Sequence, residues 1–360
     1  MKYLIIGAGI VGLATAHELL RRGERVTLLE RGVVGREASW AGGGILSPLL
    51  PWDYVAAVTA LARWSAQLYP DWTAALQRAS GVDPEYQRSG LLVLSPPASD
   101  AADLWCTGHG VALKRLEARE IAPHIAPKLP EAIPALWLPE VAQVRNPRLL
   151  QALRRSVLDA GGVVIEQAEV TGWQCDHQQI TAVTTPRGDY TADAYIVAAG
   201  AWSGELLSGI TAQPDIRPVR GQMLLFKVAS GSSPLNTILL QHGFYLIPRR
   251  DGHILAGSTM ETAGFDKTAT AAARDDLLAK AQALLPGLTA DKLVAHWAGL
   301  RPGTPHNIPV IARHPRISNL YLNSGHHRYG VTMAPASAVL LANILQQRPQ
   351  PLEMSAYDWK

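Results

Sequence analysis

An apolar run, Tyr3-Leu4-Ile5-Ile6, leads directly into Gly7-Ala8-Gly9-Ile10-Val11-Gly12, and a second apolar run, Val26-Thr27-Leu28-Leu29, closes on the acid Glu30. A strand, a G-x-G-x-x-G turn, a helix and an acid-ended strand fit together as a parallel β-α-β unit. In such a unit each glycine has its own reason. Gly7 permits the tight turn, Gly9 lets a pyrophosphate approach the backbone, and Gly12 lets helix and sheet pack closely. The helix N-terminus offers amides to phosphate. Glu30 can accept hydrogen bonds from a ribose diol and would repel a 2′-phosphate, which argues against NADP. The chain therefore opens on a site for an adenine dinucleotide, the other reading being a turn kept only for its shape.

At 360 residues the chain exceeds one ordinary hydrophobic core, so two closely packed domains are expected. Apolar residues make up 48% and charged residues 18%, a composition that excludes disorder. Gly, Pro or charge interrupts every apolar stretch before the roughly 18 residues a membrane span needs. The N-terminal apolar run enters a glycine turn instead of a small-residue cleavage site and reads as an interior strand. Cys106 and Cys175 have neither a paired nor a metal-ligand spacing, which suits a reduced, cytoplasmic protein. The formal charge of +3 is scattered and forms no nucleic-acid stripe. His242, His296, His306, His326 and His327 show no metal-binding spacing. Neither a Gly-x-Ser-x-Gly elbow nor a Walker-type Gly-Lys-Ser/Thr is present, so acyl transfer and P-loop phosphoryl transfer lose their usual support.

Periodicity predicts strands at 3–6, 26–29, 90–94, 163–166, 194–202 and 320–323, and helices at 10–22, 55–79, 99–109, 148–160, 269–285 and 334–346. Asn146-Pro147 reads as the N-cap and first position of the fourth helix. Residues 123–139 carry five prolines and read as irregular surface chain. Strand-like pieces at 222–228, 237–240, 244–248 and 253–256 suit an antiparallel sheet inserted between α/β portions. The cofactor domain is then discontinuous, over 1–80, 141–215 and 303–360, with 81–140 and 216–302 forming a substrate domain.

Three groups of residues stand out as candidate site material. The glycine-rich stretch Ser39-Trp40-Ala41-Gly42-Gly43-Gly44 is either a close backbone approach to a ligand or a flexible loop. Arg301 precedes Pro302 in extended chain, and Arg328 lies in the loop Gly325-His326-His327-Arg328-Tyr329-Gly330. Either guanidinium could clamp a carboxylate, or form an ordinary salt bridge. Tyr245 lies in a half-buried strand and is a pocket hydroxyl or a core aromatic.

Taken together, Gly7 to Glu30-Arg31, Glu37 to Leu46, Ala192-Asp193 with Val197-Ala198-Ala199-Gly200-Ala201-Trp202-Ser203, Gly299-Leu300-Arg301-Pro302 and Gly325 to Gly330 resemble the FAD-dependent D-amino-acid oxidase family over essentially the full length. Within that family the resemblance is strongest to the branch of bacterial glycine oxidases of thiamine biosynthesis. It implies an α/β FAD-binding Rossmann-like domain of the glutathione-reductase type, combined with an α+β substrate domain on an antiparallel sheet. It further implies that Gly7, Gly9, Ile10, Val11, Gly12, Glu30 and Arg31 hold the ADP half of FAD. Ser39, Gly42, Gly43, Gly44, Ile45 and Leu46 would run under the pyrophosphate, with Val170 near the adenosine and Gly200 nearby. His326, His327, Arg328, Tyr329, Gly330, Val331 and Thr332 would approach the flavin ring. Arg301 matches the carboxylate clamp, Tyr245 a tyrosine on the pocket roof, and Arg328 and Met260 residues lining that pocket.

The implied reaction is oxidation of glycine, sarcosine or a small D-amino acid by hydride transfer to flavin N5, without a side-chain base. Dioxygen would reoxidise the flavin to give hydrogen peroxide. Related sarcosine oxidases bind flavin through a C-terminal cysteine; this chain has none after Cys175, so noncovalent FAD is expected. A homo-oligomer, dimer or tetramer, is also expected. The competing readings are an FAD dehydrogenase using a quinone, a noncatalytic FAD-binding subunit and an NAD-linked dehydrogenase.

Overall fold

The computed structural model describes residues 1–97, 100–117, 120, 133–211, 213–228 and 234–359. The first strand, Lys2–Ile6, is buried on both faces: Tyr3 and Ile5 enter one apolar cluster, Leu4 and Ile6 another. Burial on both faces accounts for an apolar run without alternation. The strand sits inside a six-stranded sheet ordered Val310–Arg313, Leu320–Ser324, Ala194–Val197, Lys2–Ile6, Arg25–Leu29, Val163–Ile165. All neighbours run parallel except the antiparallel pair of 310–313 with 320–324. Strands from the beginning, middle and end of the chain thus share one sheet.

Helices Ile10–Arg21, Ala56–Ser80, Asn146–Asp159 and Gly330–Leu345 share the core on one face of this sheet. On the other face packs an antiparallel meander, Gly172–Asp176, Gln179–Thr185 and Gly188–Tyr190, which periodicity did not reveal. Its strands are short and half exposed, so their apolar residues make no sustained pattern.

The second sheet has eight strands, ordered Leu293–Gly303, Arg217–Lys227, His253–Gly257, Phe244–Pro248, Ile238–Gln241, Leu91–Leu94, Ala135–Leu138, Lys114–Leu116. It is mixed rather than purely antiparallel, because Ile238–Gln241 runs parallel to Leu91–Leu94. Alternation along its strands decides what reaches the cleft. Leu224, Phe226, Phe244 and Leu246 fill the core under helix Ala271–Leu284, which leaves Met223, Tyr245 and Ile247 on the opposite face.

Other departures from the sequence pattern have local causes. Of the proline-rich stretch 123–139, residues 123–132 lie outside the described residues, while Ala135–Leu138 is a strand bracketed by Pro134 and Pro139. Strand Leu293–Gly303 tolerates Pro302 because it lies at the sheet edge. The last helix begins at Gly330, earlier than the pattern suggested, with Pro335 inside it. Pro335 has no N–H for the Val331 carbonyl, and the Tyr69 hydroxyl donates to that oxygen instead. Among the described residues no helix is long and apolar enough to cross a membrane.

Leu153, fully buried between helices, tests the main core. Leu153→Ala should lower the unfolding free energy by about 2–5 kcal/mol with an unchanged denaturant slope, checked by urea titration.

Candidate cofactor and substrate site

The first glycine turn is built by contacts on every side. Gly7 has φ +105°, and a Cβ on it would lie 2.5 Å from the Ala198 carbonyl oxygen. A Cβ on Gly12 would lie 2.0 Å from the Gly7 oxygen, so Gly12 sets the approach of helix to turn from behind the cleft. Glu30 clips the turn itself: its carboxylate accepts from the Ala8 amide at 2.9 Å and the Gly32 amide at 3.0 Å. Ser39 Oγ accepts from the Ile10 amide at 2.9 Å, a helix cap supplied from a distant loop.

That loop, residues 39–44, is short helix (Ala38–Ala41) followed by extended chain. Its carbonyls are engaged by the surrounding protein. Asn146 Nδ2 donates to Ser39 O at 2.8 Å and to Gly42 O at 2.9 Å. Trp297 Nε1 donates to Ala41 O, Arg249 to Gly43 O at 2.6 Å, and the Val144 amide to Gly44 O. Arg249 is buried, which pulls its pKa down to about 10, and its Nη1 donates to Gln143 Oε1 and Val144 O. A loop that faces phosphates must turn its carbonyls elsewhere, and these donors hold them there. Asn146 is therefore not the expected cap: Arg145 occupies that position, and the Asn146 amide serves the loop.

A cleft with about 380 Å³ of space runs from this turn to the second sheet. Arg301 and Tyr245 line its far end. The Arg301 guanidinium lies over Gly221, where a Cβ would come within 2.1 Å of it. It donates to Ser258 Oγ at 2.8 Å and to the Thr259 carbonyl at 3.1 Å. These are neutral acceptors, so its charge stays available to a ligand. Burial lowers its pKa, and nearby Arg328 adds to the effect. Arg328 also lines the cleft, and among the described residues no carboxylate pairs with it. The Tyr245 hydroxyl donates to Met223 Sδ at 3.4 Å.

The loop after strand Leu320–Ser324 carries two histidines in different roles. His326 Nε2 meets Ser337 Oγ at 2.9 Å, and complete burial pushes its pKa down to about 3. His327 has φ +46°, its amide donates to Pro302 O at 2.9 Å, and its Nδ1 meets Asn307 Oδ1. Burial, with Arg301 and Arg328 nearby, lowers its pKa to about 4. Burial likewise raises the Tyr329 pKa, keeping that phenol protonated.

Of the residues singled out in the sequence, the cleft is lined by Gly7, Gly9, Ile10, Val11, Glu30, Arg31, Ser39, Gly42, Gly43, Gly44, Ile45, Val170, Gly200, His326, His327, Tyr329, Gly330 and Val331 as well as Tyr245, Arg301 and Arg328. Leu46 and Thr332 are buried behind it, and the Thr332 hydroxyl donates to Ile45 O. Met260 is a correction: it is 65% exposed and does not line the cleft, because the chain at Thr259 and Glu261 is tied inward to Arg301 and Arg220. Gly221, Met223, Asn146 and Arg249 were not singled out for the site; their signal lies in pairings far apart in sequence.

A glycine turn clipped by Glu30, a second glycine loop and a cationic far end fit a dinucleotide-dependent oxidoreductase. The chain matches the DAO family of FAD dependent oxidoreductases over residues 2–344 and belongs to it. It is 46% identical to a glycine oxidase of Pseudomonas aeruginosa, over 99% of this chain and 98% of that protein. A glycine oxidase of Pseudomonas putida is 43% identical, over 96% and 94%. Among solved structures, glycine oxidase from Geobacillus kaustophilus superposes with a TM-score of 0.91 at 27% identity, covering 99% of this chain and 98% of that one. FAD is the cofactor, and the two glycine cradles fit it. It is held noncovalently, and neither Cys106 nor Cys175 lines the cleft.

Asn146→Asp keeps the shape but sets a carboxylate against two carbonyls. FAD binding, followed by flavin fluorescence, should weaken by roughly tenfold or more. The histidines give a pH signature. Both are neutral in the fold but titrate near 6.5 when unfolded, so the unfolded chain takes up their protons first. Stability should therefore fall as pH drops from about 6.5 toward 4, and His326→Gln should flatten that slope in urea melts.

Proposed function

We propose that the enzyme oxidises glycine and comparably small amino acids, sarcosine and small D-amino acids among them. The products are an imino acid, which water converts to an α-keto acid with ammonia or an amine, and hydrogen peroxide from dioxygen. The observation that carries this reading is the pair of cleft guanidiniums, Arg301 and Arg328, neither of them neutralised by a carboxylate among the described residues. Cations held in a half-buried cleft without an anion suit a small organic acid. The names of the bacterial relatives, glycine oxidases, point the same way.

The residues assign the work to orientation. Arg301 and Arg328 hold the substrate carboxylate. The Tyr245 hydroxyl, now on a weak thioether acceptor, turns to a carboxylate oxygen when one arrives. The carboxylates lining the cleft are Glu30, Glu37, Glu169 and Glu205, all on segments that follow strands of the six-stranded sheet. Among the described residues lining the cleft no acid stands at the Arg301 and Tyr245 end. His326 is buried against Ser337, and His327, whose Nδ1 meets Asn307 while its Nε2 has no partner, has a pKa lowered to about 4 and is too weak a base to take the proton. The amine lone pair of the neutral substrate therefore drives the step, without a side-chain base. FAD, when bound, supplies the hydride acceptor. Met223, Leu49 and Tyr329 line the same cleft, and we assign them the limit on the size of the α-substituent. An imino acid from glycine suits the thiazole-forming branch of thiamine synthesis, and we place the enzyme there.

Anaerobic addition of glycine, sarcosine, D-alanine or D-proline should bleach the flavin, and air should restore it with stoichiometric peroxide. Bleaching without recovery in air would mean another electron acceptor, and no bleaching would sink the reading. Arg301→Ala should raise KM roughly a hundredfold while flavin stays bound. Flavin loss with unchanged KM would contradict the assigned role.

A further inference from the structure

Arg31 follows strand Arg25–Leu29, and Trp202 follows strand Ala194–Val197; these strands pair with Lys2–Ile6 on its two opposite sides. The two residues therefore rise from opposite lips of the crevice above the first glycine turn, where a parallel sheet of this kind receives its ligand. Both line the cleft, yet they touch: the Arg31 guanidinium carbon lies 3.5 Å from the Trp202 ring centroid. The contact bridges the crevice.

A segment of the second sheet reinforces that bridge. Phe265 packs on Trp202, with 5.5 Å between ring centroids at 31°. The Lys267 ammonium reaches both Glu37 oxygens, at 2.9 and 3.0 Å, and Glu37 also accepts from Arg31. The same segment is rooted in the substrate sheet. Ser258 and Thr259 accept from Arg301, while Glu261 and Asp266 each pair with the buried Arg220 at 2.6 Å. Residues 258–268 are thus fastened to one sheet at their base and to both lips of the other sheet's crevice at their tip.

We infer that residues 258–268 form a strap that retains FAD. The cofactor leaves only when Arg31 parts from Trp202, and Phe265 and Lys267 hold that pair together. The Lys267–Glu37 and Arg31–Glu37 pairs are partly exposed, with side-chain exposures of 45%, 31% and 33% for Lys267, Glu37 and Arg31, so solvent screens them. The aromatic and cation–π stack carries most of the hold. This role depends on FAD binding and not on which amino acid is oxidised.

The test is FAD release from the holoenzyme, followed as the rise of free-flavin fluorescence after dilution into FAD-free buffer. Phe265→Ala should speed release roughly tenfold. Phe265→Trp, which keeps a ring on Trp202, should release at close to the wild-type rate. Lys267→Gln should release slightly faster at low salt and show a weaker salt dependence than the wild type, because the Arg31–Glu37 pair remains. Should Phe265→Ala fail to fold, Phe265→Leu and Lys267→Glu carry the same comparison. Release from Phe265→Ala at the wild-type rate would overturn the proposal. So would faster release matched by an equal loss of thermal stability in the apoprotein, since that marks a general weakening of the fold.

Discussion

The site depends on keeping the carbonyls of residues 39–44 away from the cleft. A glycine-rich turn left to itself has no preference for which way its peptide planes face. Here a buried amide, an indole, a buried guanidinium and a backbone amide fix them. These donors come from helix Asn146–Asp159, the edge strand of the second sheet, the end of strand Phe244–Pro248 and the chain before that helix. The loop is therefore where the two sheets meet. Orienting it and holding the second sheet to helix Asn146–Asp159 are one requirement, because donors from both converge on it.

The same convergence explains the placement of the substrate residues. Alternation along Arg217–Lys227 and Phe244–Pro248 puts Met223 and Tyr245 on the face toward the loop, and a Cβ at Gly43 would lie 3.3 Å from the Tyr245 ring. Strand Leu293–Gly303 brings Gly299 against Ala41 and, two residues on, Arg301 over Gly221. Three glycines at these crossings let backbone, ring and guanidinium approach more closely than any side chain would allow. The cationic end of the cleft is thus set close to the cofactor end by side chains resting directly on glycine backbone.

Much of this was legible in the sequence where the signal is local. The first β-α-β unit shows itself in contiguous residues, because turn, helix packing and the Glu30 clip all fall within thirty positions of the start. The extended chain at Arg301 was legible from the proline after it. What stayed hidden depends on partners far apart. Asn146 reads locally as a helix cap, and only the fold reveals that its amide reaches residues a hundred positions earlier. The sequence pattern starts the last helix at 334 and the fold at Gly330, because nothing nearby shows that Tyr69 will satisfy the carbonyl Pro335 frees. Met260 was placed by resemblance alone, and the inward ties of its two neighbours turn it to solvent.

Because Arg301 rests on Gly221, the floor beneath its guanidinium is main chain, and main chain cannot be redecorated by substitution. Any side chain at 221 would collide with the guanidinium before it could alter the substrate. Divergence toward larger substrates is thereby channelled to the side chains that line the cleft nearby, Leu49, Met223 and Tyr329. Enzymes descended from such a chain would be expected to share their hold on the acid group and to differ in what they accept beside it.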